Sequence, residues 1–231
     1  MLSFIIPAHN EERLIGATLD ALRAVARDLP VPSEIIVVDD ASTDRTAAIA
    51  NEHGVRLLKV DHRHIAATRN AGARIACGDV LVFVDADTLV DAKVVRAALA
   101  ALAAGAIGGG CAVRLHGVTN RRERFAAGFL GWLLRHARIA PGCFLFCTRA
   151  AFDAVAGFDT TWYAAEDVAM SRALAKQGRF VILREPVLTS ARKLRTHSFG
   201  EHLRLFVRLL GRGRRFLKSR DGLDLWYGDR R

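Results

Sequence analysis

Four nearly continuous apolar runs alternate with helix-patterned segments in the first third of the chain, and this alternation restricts the fold more than any other feature. The runs are "LSFIIP" (2–7), "EIIVVD" (34–39), "VRLLKV" (55–60) and "VLVFVD" (80–85). A strand that is apolar at consecutive positions is one covered on both faces. Between the runs, "ERLIGATLDALRAVARDL", "DRTAAIANEH" and "AATRNAGARIA" carry apolar residues at helical spacing. The β-α-β-α-β-α-β order predicts an α/β fold, a Rossmann-like and mostly parallel sheet flanked by helices. A chain of 231 residues is long enough to bury one such core.

Open parallel sheets bind ligands beyond the carboxyl ends of their strands. Polar clusters fall at those ends: "PAHNEE" after the first run, "DDASTD" after the second, "DADT" after the fourth. In "VFVDADT" the acids Asp85 and Asp87 stand at i and i+2, on one side of an extended chain, where their charges repel. A cation at that point resolves the repulsion. A helix-capping role is the alternative for an Asp at a strand end. A hard ion such as Mg²⁺ or Mn²⁺, held by one or two carboxylates, completes its shell with water and phosphate oxygens. The implied ligand is a diphosphate.

The second half is less regular. "AIGGGCAVRLHG" reads as a strand, "NRRERFAAGFLGWLLRHARI" as an amphipathic helix, and "GCFLFCTRAAF" as a buried strand leading into a short helix. "AEDVAMSRALAKQG" opens with acids and closes with Lys-Gln-Gly, the charge order of a helix ending at a glycine. The formal net charge is +10, with much of the excess after Arg184. A basic balance suits phosphate, nucleic acid or an acidic membrane surface. No helix-turn-helix, zinc-finger or RNA-binding aromatic motif is present, so nucleic acid is not the expected partner. Cys77, Cys111, Cys143 and Cys147 lack metal-site spacing and read as reduced core residues. The start "LSFIIPAHNEE" has no secretory pattern, and the longest apolar run is too short to span a bilayer, so a cytoplasmic or inner-membrane-surface location is expected.

The segments "SFIIPAHNEERLIGATLDAL", "EIIVVDDASTDRTAAIA", "ATRNAGARIACGDVLVFVDADT" and "GFDTTWYAAEDVAMSRALAKQG" together resemble the family-two glycosyltransferases of the GT-A fold, over residues 2–185. The resemblance implies an inverting, metal-dependent transfer of sugar from a nucleotide-diphosphate donor, UDP-sugar before GDP-sugar, to an acceptor hydroxyl. It implies that Pro7, Glu11, Asp39 and Asp40 line the base and ribose pocket, with Asn10 and Ser42 read alternatively as helix caps. Arg69 and Gly72 of "RNAG" are implied to lie on the diphosphate side, Arg69 as a charge partner and Gly72 through close backbone approach. A solvated helix face is the rival for Arg69. Asp85 is placed near the ribose or the metal, and Asp87 on the metal.

For Glu166 and Asp167 the resemblance implies acceptor chemistry, with Asp167 as general base and Glu166 binding acceptor or orienting the site. Their bland alternative is a favourable charge at a helix N-terminus. Arg192, Lys193, Arg195 and His197 are candidates to close over the diphosphate or, for His197, to join the metal; a solvated charge run explains them equally. Residues 199–219 have the pattern of a basic amphipathic helix, which suits either an anionic membrane bearing a glycolipid or polysaccharide precursor, or packing on the domain. The expected division is a glycosyltransferase domain over 1–190, with a nucleotide-binding half to about 105, and a basic extension over 191–231. Two rivals remain: a nucleotidylyltransferase, opposed by "PAHNEE" where a glycine-rich triphosphate loop would stand, and a non-catalytic nucleotide-sugar-binding or scaffold protein.

Overall fold

The computed structural model describes residues 1–116 and 139–190. Each of the four apolar runs forms a strand: β1 Leu2–Ala8, β2 Ser33–Asp40, β3 Arg56–Val60 and β4 Val80–Val84. Helices α1 Ile15–Asp28, α2 Thr46–Glu52 and α3 Ile65–Ile75 fill the connections. β1 pairs in parallel with both β2 and β4, and β2 with β3, which is the doubly wound arrangement the alternation predicts.

Beyond β4 the sheet changes character. It continues through β5 Thr88–Leu89, β6 Gly108–His116, β7 Phe144–Thr148 and β8 Phe180–Ser190, in the order β3-β2-β1-β4-β7-β6-β8-β5. β7 runs antiparallel to β4 and β6, and β5 antiparallel to β8, while β6 and β8 are parallel. The expected mostly parallel sheet is present, and it takes in antiparallel pairs beyond β4, where a neighbour needs no crossover helix. The remaining described helices are α4 Ala92–Ala103, α5 Arg149–Ala154 and α6 Glu166–Gln177. Asp91 starts α4 by accepting from the backbone N–H groups of Lys93 and Val94, and α6 closes at Gly178 as its sequence indicates.

The apolar continuity of the central strands has a direct consequence. Phe4, Ile6, Val82 and Val84 enter one core with Leu19 and Leu22 of α1 and Val94 of α4. Ile5, Val38, Leu81 and Phe83 enter a second core on the opposite face, with Ala71 and Ala73 of α3 and Met170 and Leu174 of α6. Phe83 anchors this second core against the rings of Phe152, 5.5 Å away, and Phe158, 4.9 Å away. Cys111, Cys143 and Cys147 are buried free thiols, and burial pushes the Cys111 thiol up to about 12. Cys77 departs from the expectation: it is exposed, just after α3.

The expected helix around Trp132 and the basic segment from 191 lie outside the described residues. Among the described residues no helix is long and apolar enough to cross a membrane.

Gly72 also departs from its expected role. It lies on the buried face of α3, where a Cβ would stand 2.5 Å from Ile5 Cγ2 and 2.8 Å from Val38 Cγ2. Its missing side chain serves helix-to-sheet contact, not approach to a diphosphate. Gly72→Ala is predicted to lower unfolding free energy by about 1–3 kcal/mol, the usual penalty of overpacking, measured by urea denaturation. An unchanged midpoint would remove this packing role.

Candidate active site

The carboxyl ends of β1 and β2 are tied together by side-chain to backbone hydrogen bonds. Asn10 N–H donates to Ser42 Oγ at 3.0 Å, Thr43 N–H donates to Asn10 Oδ1 at 2.8 Å, and Glu12 N–H donates to Asp44 Oδ2 at 3.0 Å. Glu11 N–H donates to Thr46 Oγ1 at 2.8 Å, and Glu11 is itself buried. Asn10 and Ser42 are thus loop fasteners and not helix caps; α1 and α2 begin at Leu14 and Arg45 without a side-chain cap. Asn10 and Ala41 take left-handed backbone conformations, with φ of 52° and 55°, as the chain turns sharply off each strand. Pro7 lies partly buried in β1, opposite Val38.

Asp39 and Asp40 are adjacent and opposite in environment. All the acceptor positions of the Asp40 carboxylate are engaged within the protein. Oδ1 accepts from the backbone of His62 at 2.7 Å and Arg63 at 2.8 Å, and Oδ2 from His64 N–H at 3.1 Å and Thr68 Oγ1 at 2.6 Å. Its expected contact with ribose gives way to shaping the 61–64 loop. Asp39 is 4% exposed, and its Oδ1 is buried without a hydrogen-bond partner. Such an acceptor is costly unless something donates to it.

Residues 85–88 do not continue β4 as an extended chain. Thr88 N–H donates to the Asp85 carbonyl at 3.1 Å, forming a turn, and Thr18 Oγ1 holds the Ala86 carbonyl at 2.8 Å. The premise that Asp85 and Asp87 face one point along a strand is corrected accordingly. Asp85 Oδ1 accepts from Arg69, whereas Asp87 Oδ1 accepts from Thr189 Oγ1 of β8 at 3.3 Å. Helix capping falls to Asp91 instead. Among the described residues no cluster of three or more His, Cys, Asp or Glu side chains could hold a metal by itself. The available donors are two hard carboxylates, a set that fits Mg²⁺ or Mn²⁺ completed by phosphate and water.

Arg69 is the most buried charge among the described residues, at 2% exposure, which excludes a solvated helix face. Nη1 donates to Glu166 Oε1 at 2.6 Å, and Nη2 donates to Asp85 Oδ1 and to the Gly142 carbonyl, both at 3.0 Å. The Phe158 ring lies 5.3 Å from its Cζ. Burial opposes the guanidinium charge, but Glu166, Asp85 and Asp167 outweigh it and push its pKa up. Its terminal nitrogens are engaged by two protein carboxylates and a backbone carbonyl.

Glu166 and Asp167 open α6, preceded by Ala165 at a φ of 60°. Glu166 is 6% exposed and paired to Arg69; Asp167 is partly buried, with Gly142 packed so closely that a Cβ there would meet Asp167 Oδ2 at 3.0 Å. Burial and the Glu166 charge push the Asp167 carboxyl up to about 7, against the lowering effects of Arg69 and the Val168 N–H. Sequence reasoning missed three contributors: Gly142 and Cys143, whose carbonyls accept from Arg69 and from Asp85 N–H, and Asn70. Asn70 donates to the Phe158 carbonyl at 2.8 Å and accepts from Phe158 N–H at 2.9 Å. Pro141-Gly142 before an apolar run was the available turn signal. His64, which starts α3, packs against Tyr163 with ring centroids 4.6 Å apart and the planes tilted by 54°, and burial lowers its pKa. Arg192, Lys193, Arg195 and His197 lie outside the described residues.

The fold is that of the GT-A glycosyltransferases. The family model "Glycosyl transferase family 2" matches residues 3–154, and the chain belongs to that family. It is similar to validoxylamine A glucosyltransferase of Streptomyces hygroscopicus subsp. limoneus, 35% identical over 109 residues, which are 44% of this chain and 23% of that protein. The chain thus spans about a quarter of the length of that curated relative. Among solved structures it resembles S. aureus TarS 1-349 in complex with UDP-GlcNAc (TM-score 0.64, 20% identity, 82% of this chain and 58% of that one). It also resembles the mannosyltransferase PcManGT from Pyrobaculum calidifontis in complex with GDP-Man and Mn²⁺ (TM-score 0.65, 23% identity, 87% and 61%). At these identities the two structures establish the fold.

The contrast between the adjacent acids is testable. Asp40→Ala is predicted to cost about 3 kcal/mol or more of unfolding free energy, because three backbone donors and Thr68 lose their acceptor. Asp39→Ala, which removes an unpartnered acceptor, is predicted to cost less than about 1 kcal/mol in the same denaturation assay. Equal losses would contradict the assignment.

Proposed function

We propose that the chain is an inverting glycosyltransferase that moves a sugar from a nucleotide-diphosphate donor to an acceptor hydroxyl. The observation that carries this reading is the approach of the acidic pair at the start of α6 to the carboxyl end of β4, with Arg69 between Glu166 and Asp85. A carboxyl near pH 7 in its titration therefore stands beside the strand edge that faces a donor.

Asp39 is the base-reading residue in this proposal. Its unpartnered Oδ1 suits the ring N–H of uracil or guanine, where cytosine presents an acceptor. Uracil remains the first choice, with Pro7 and Glu11 forming the rest of the pocket. Asp87, with Asp85, would hold a Mg²⁺ or Mn²⁺ ion, and the Mn²⁺ of the PcManGT complex supports a divalent ion in this fold. When bound, such an ion supplies positive charge against the departing diphosphate.

Asp167 does the acid–base work. Its carboxylate takes the acceptor O–H proton as the acceptor oxygen bonds to the sugar C1 and the C1–O bond to the diphosphate breaks, the electron pair leaving with the nucleoside diphosphate. Attack from the face opposite the leaving group inverts C1, and no covalent enzyme intermediate is required. The low exposure of Glu166 and its bond to Arg69 make it the residue that holds Asp167 in place.

Turnover is predicted to rise with pH through about 7, the value to which Asp167 is raised, and then to level. Asp167→Asn is predicted to lower it by about 10²–10⁴-fold. The same shift has a stability sign. The folded pKa lies above the ordinary aspartate value of 3.8, so the contribution of Asp167 is fully present below about pH 4 and is lost as pH rises to about 7. Asp167→Asn should accordingly be at least as stable as wild type at pH 8.

The deciding experiment is a thermal-shift panel of UDP, GDP, CDP and dTDP on the full chain, with Mn²⁺, with Mg²⁺ and with chelator. One nucleotide should raise the midpoint only with metal, and Asp87→Asn should abolish the gain. No shift with any nucleotide would overturn the donor-site reading and favour a scaffold protein of the same fold.

A further inference from the structure

We propose that Arg69 is a positioning residue that fixes the spacing between the donor-side carboxylate Asp85 and the acid pair Glu166–Asp167. The inference rests on the glycosyltransferase reading above and assigns to Arg69 a task other than binding the donor.

The geometry carries it. Three chain segments meet on one guanidinium: the β4 end through Asp85, the segment before β7 through the Gly142 carbonyl, and the start of α6 through Glu166. These partners stand 16, 73 and 97 residues from Arg69 in sequence, so no local structure brings them together. Gly142 in turn lies against Asp167, which places the proposed base one contact away from the same fork. A planar guanidinium holds its donors in a fixed relation, whereas an ammonium is one point on a flexible stem. The side chain is almost wholly inaccessible and both terminal nitrogens are engaged by the protein, so it does not reach a substrate.

The neighbouring residue repeats the pattern. Asn70 fastens α3 to the backbone of Phe158, whose ring lies beneath Arg69. Two consecutive residues of one rigid helix thus fix the segments on the far side of β4. A donor-site acid and a base-site acid held on one rigid fork keep their separation while ligands come and go.

Two measurements on the full chain test this. In the first, Arg69→Lys keeps the buried charge and loses the fork. Hydrolysis of UDP-glucose, or of GDP-mannose where the thermal panel selects guanine, is followed with Mn²⁺ as transfer to water. The expected result is a fall in kcat of about 100-fold, the order of loss that follows a 1 Å misplacement, with donor KM moving less than about threefold. Unchanged kcat per folded molecule overturns the proposal, and so does a loss confined to KM.

The second measurement does not depend on activity. Asp85→Asn and Glu166→Gln, which meet through Arg69, should be non-additive in urea denaturation and become additive in an Arg69→Met background. Additivity in both backgrounds overturns the joint. Should no nucleotide shift the wild-type midpoint, the parent reading fails, while the cycle still decides whether Arg69 couples the two acids.

Discussion

A single buried cation, Arg69, imposes the constraint on which the rest of this site depends. Removing a guanidinium from water is expensive, and the penalty is offset only when carboxylates and hydrogen-bond acceptors surround it. Here they come from Asp85, Glu166 and Gly142. Each of those partners is then obliged to stand where it does, because a displaced carboxylate would leave both itself and Arg69 uncompensated. The start of α6, the turn after β4 and the entry to β7 are therefore positioned by electrostatics as well as by the apolar cores on the two faces of the sheet.

The acids at the sheet edge divide into those engaged by the protein and those to which the proposed function gives the chemistry. Asp40 spends its carboxylate on the 61–64 backbone and Thr68, while its neighbour Asp39 keeps an open acceptor. Glu166 is paired to Arg69, while its neighbour Asp167 is raised in pKa by burial and by Glu166. Asp85 is drawn to Arg69 and Asp87 toward Thr189. Adjacent acids repel, and the repulsion is tolerable when one member is neutralised by the protein and the other is left for chemistry. That division follows from surroundings the two residues do not share, although they share a peptide bond.

This also explains what the sequence could and could not show. Strands β1 to β4 were legible because burial on both faces demands consecutive apolar residues, and the parallel order followed from the helices between them. β5 is two residues long and leaves no pattern, and α4 is rich in alanine, so its apolar stripe is faint. Charge and residue type were visible at Arg69 and Gly72; the direction each faces was not. A helix presents different residues to sheet, ion pair and solvent according to its rotation, which packing sets. Asn10 and Ser42 failed as caps for a related reason: a neighbouring loop offered each a tertiary partner. The acids themselves were all found at the strand or helix ends the pattern predicted, and the Gly142–Cys143 carbonyls escaped because backbone groups carry no sequence signature.

The electrostatic arrangement bears finally on the proposed chemistry. Burial raises the pKa of Asp167 most, Glu166 next and Asp85 to a lesser degree, while Arg69 pulls it down. Were the guanidinium absent, two neighbouring carboxylates would drive the Asp167 proton still harder to stay, and a base that never releases its proton cannot accept another. Were Glu166 absent, burial would be left as the main force against the pull of Arg69. With both present, the carboxyl titrates near neutrality, where a base is both available and strong enough to matter. The ion cluster that fixes the geometry of α3, β4 and α6 thus also acts, together with burial, on the basicity of Asp167, so position and basicity share contacts.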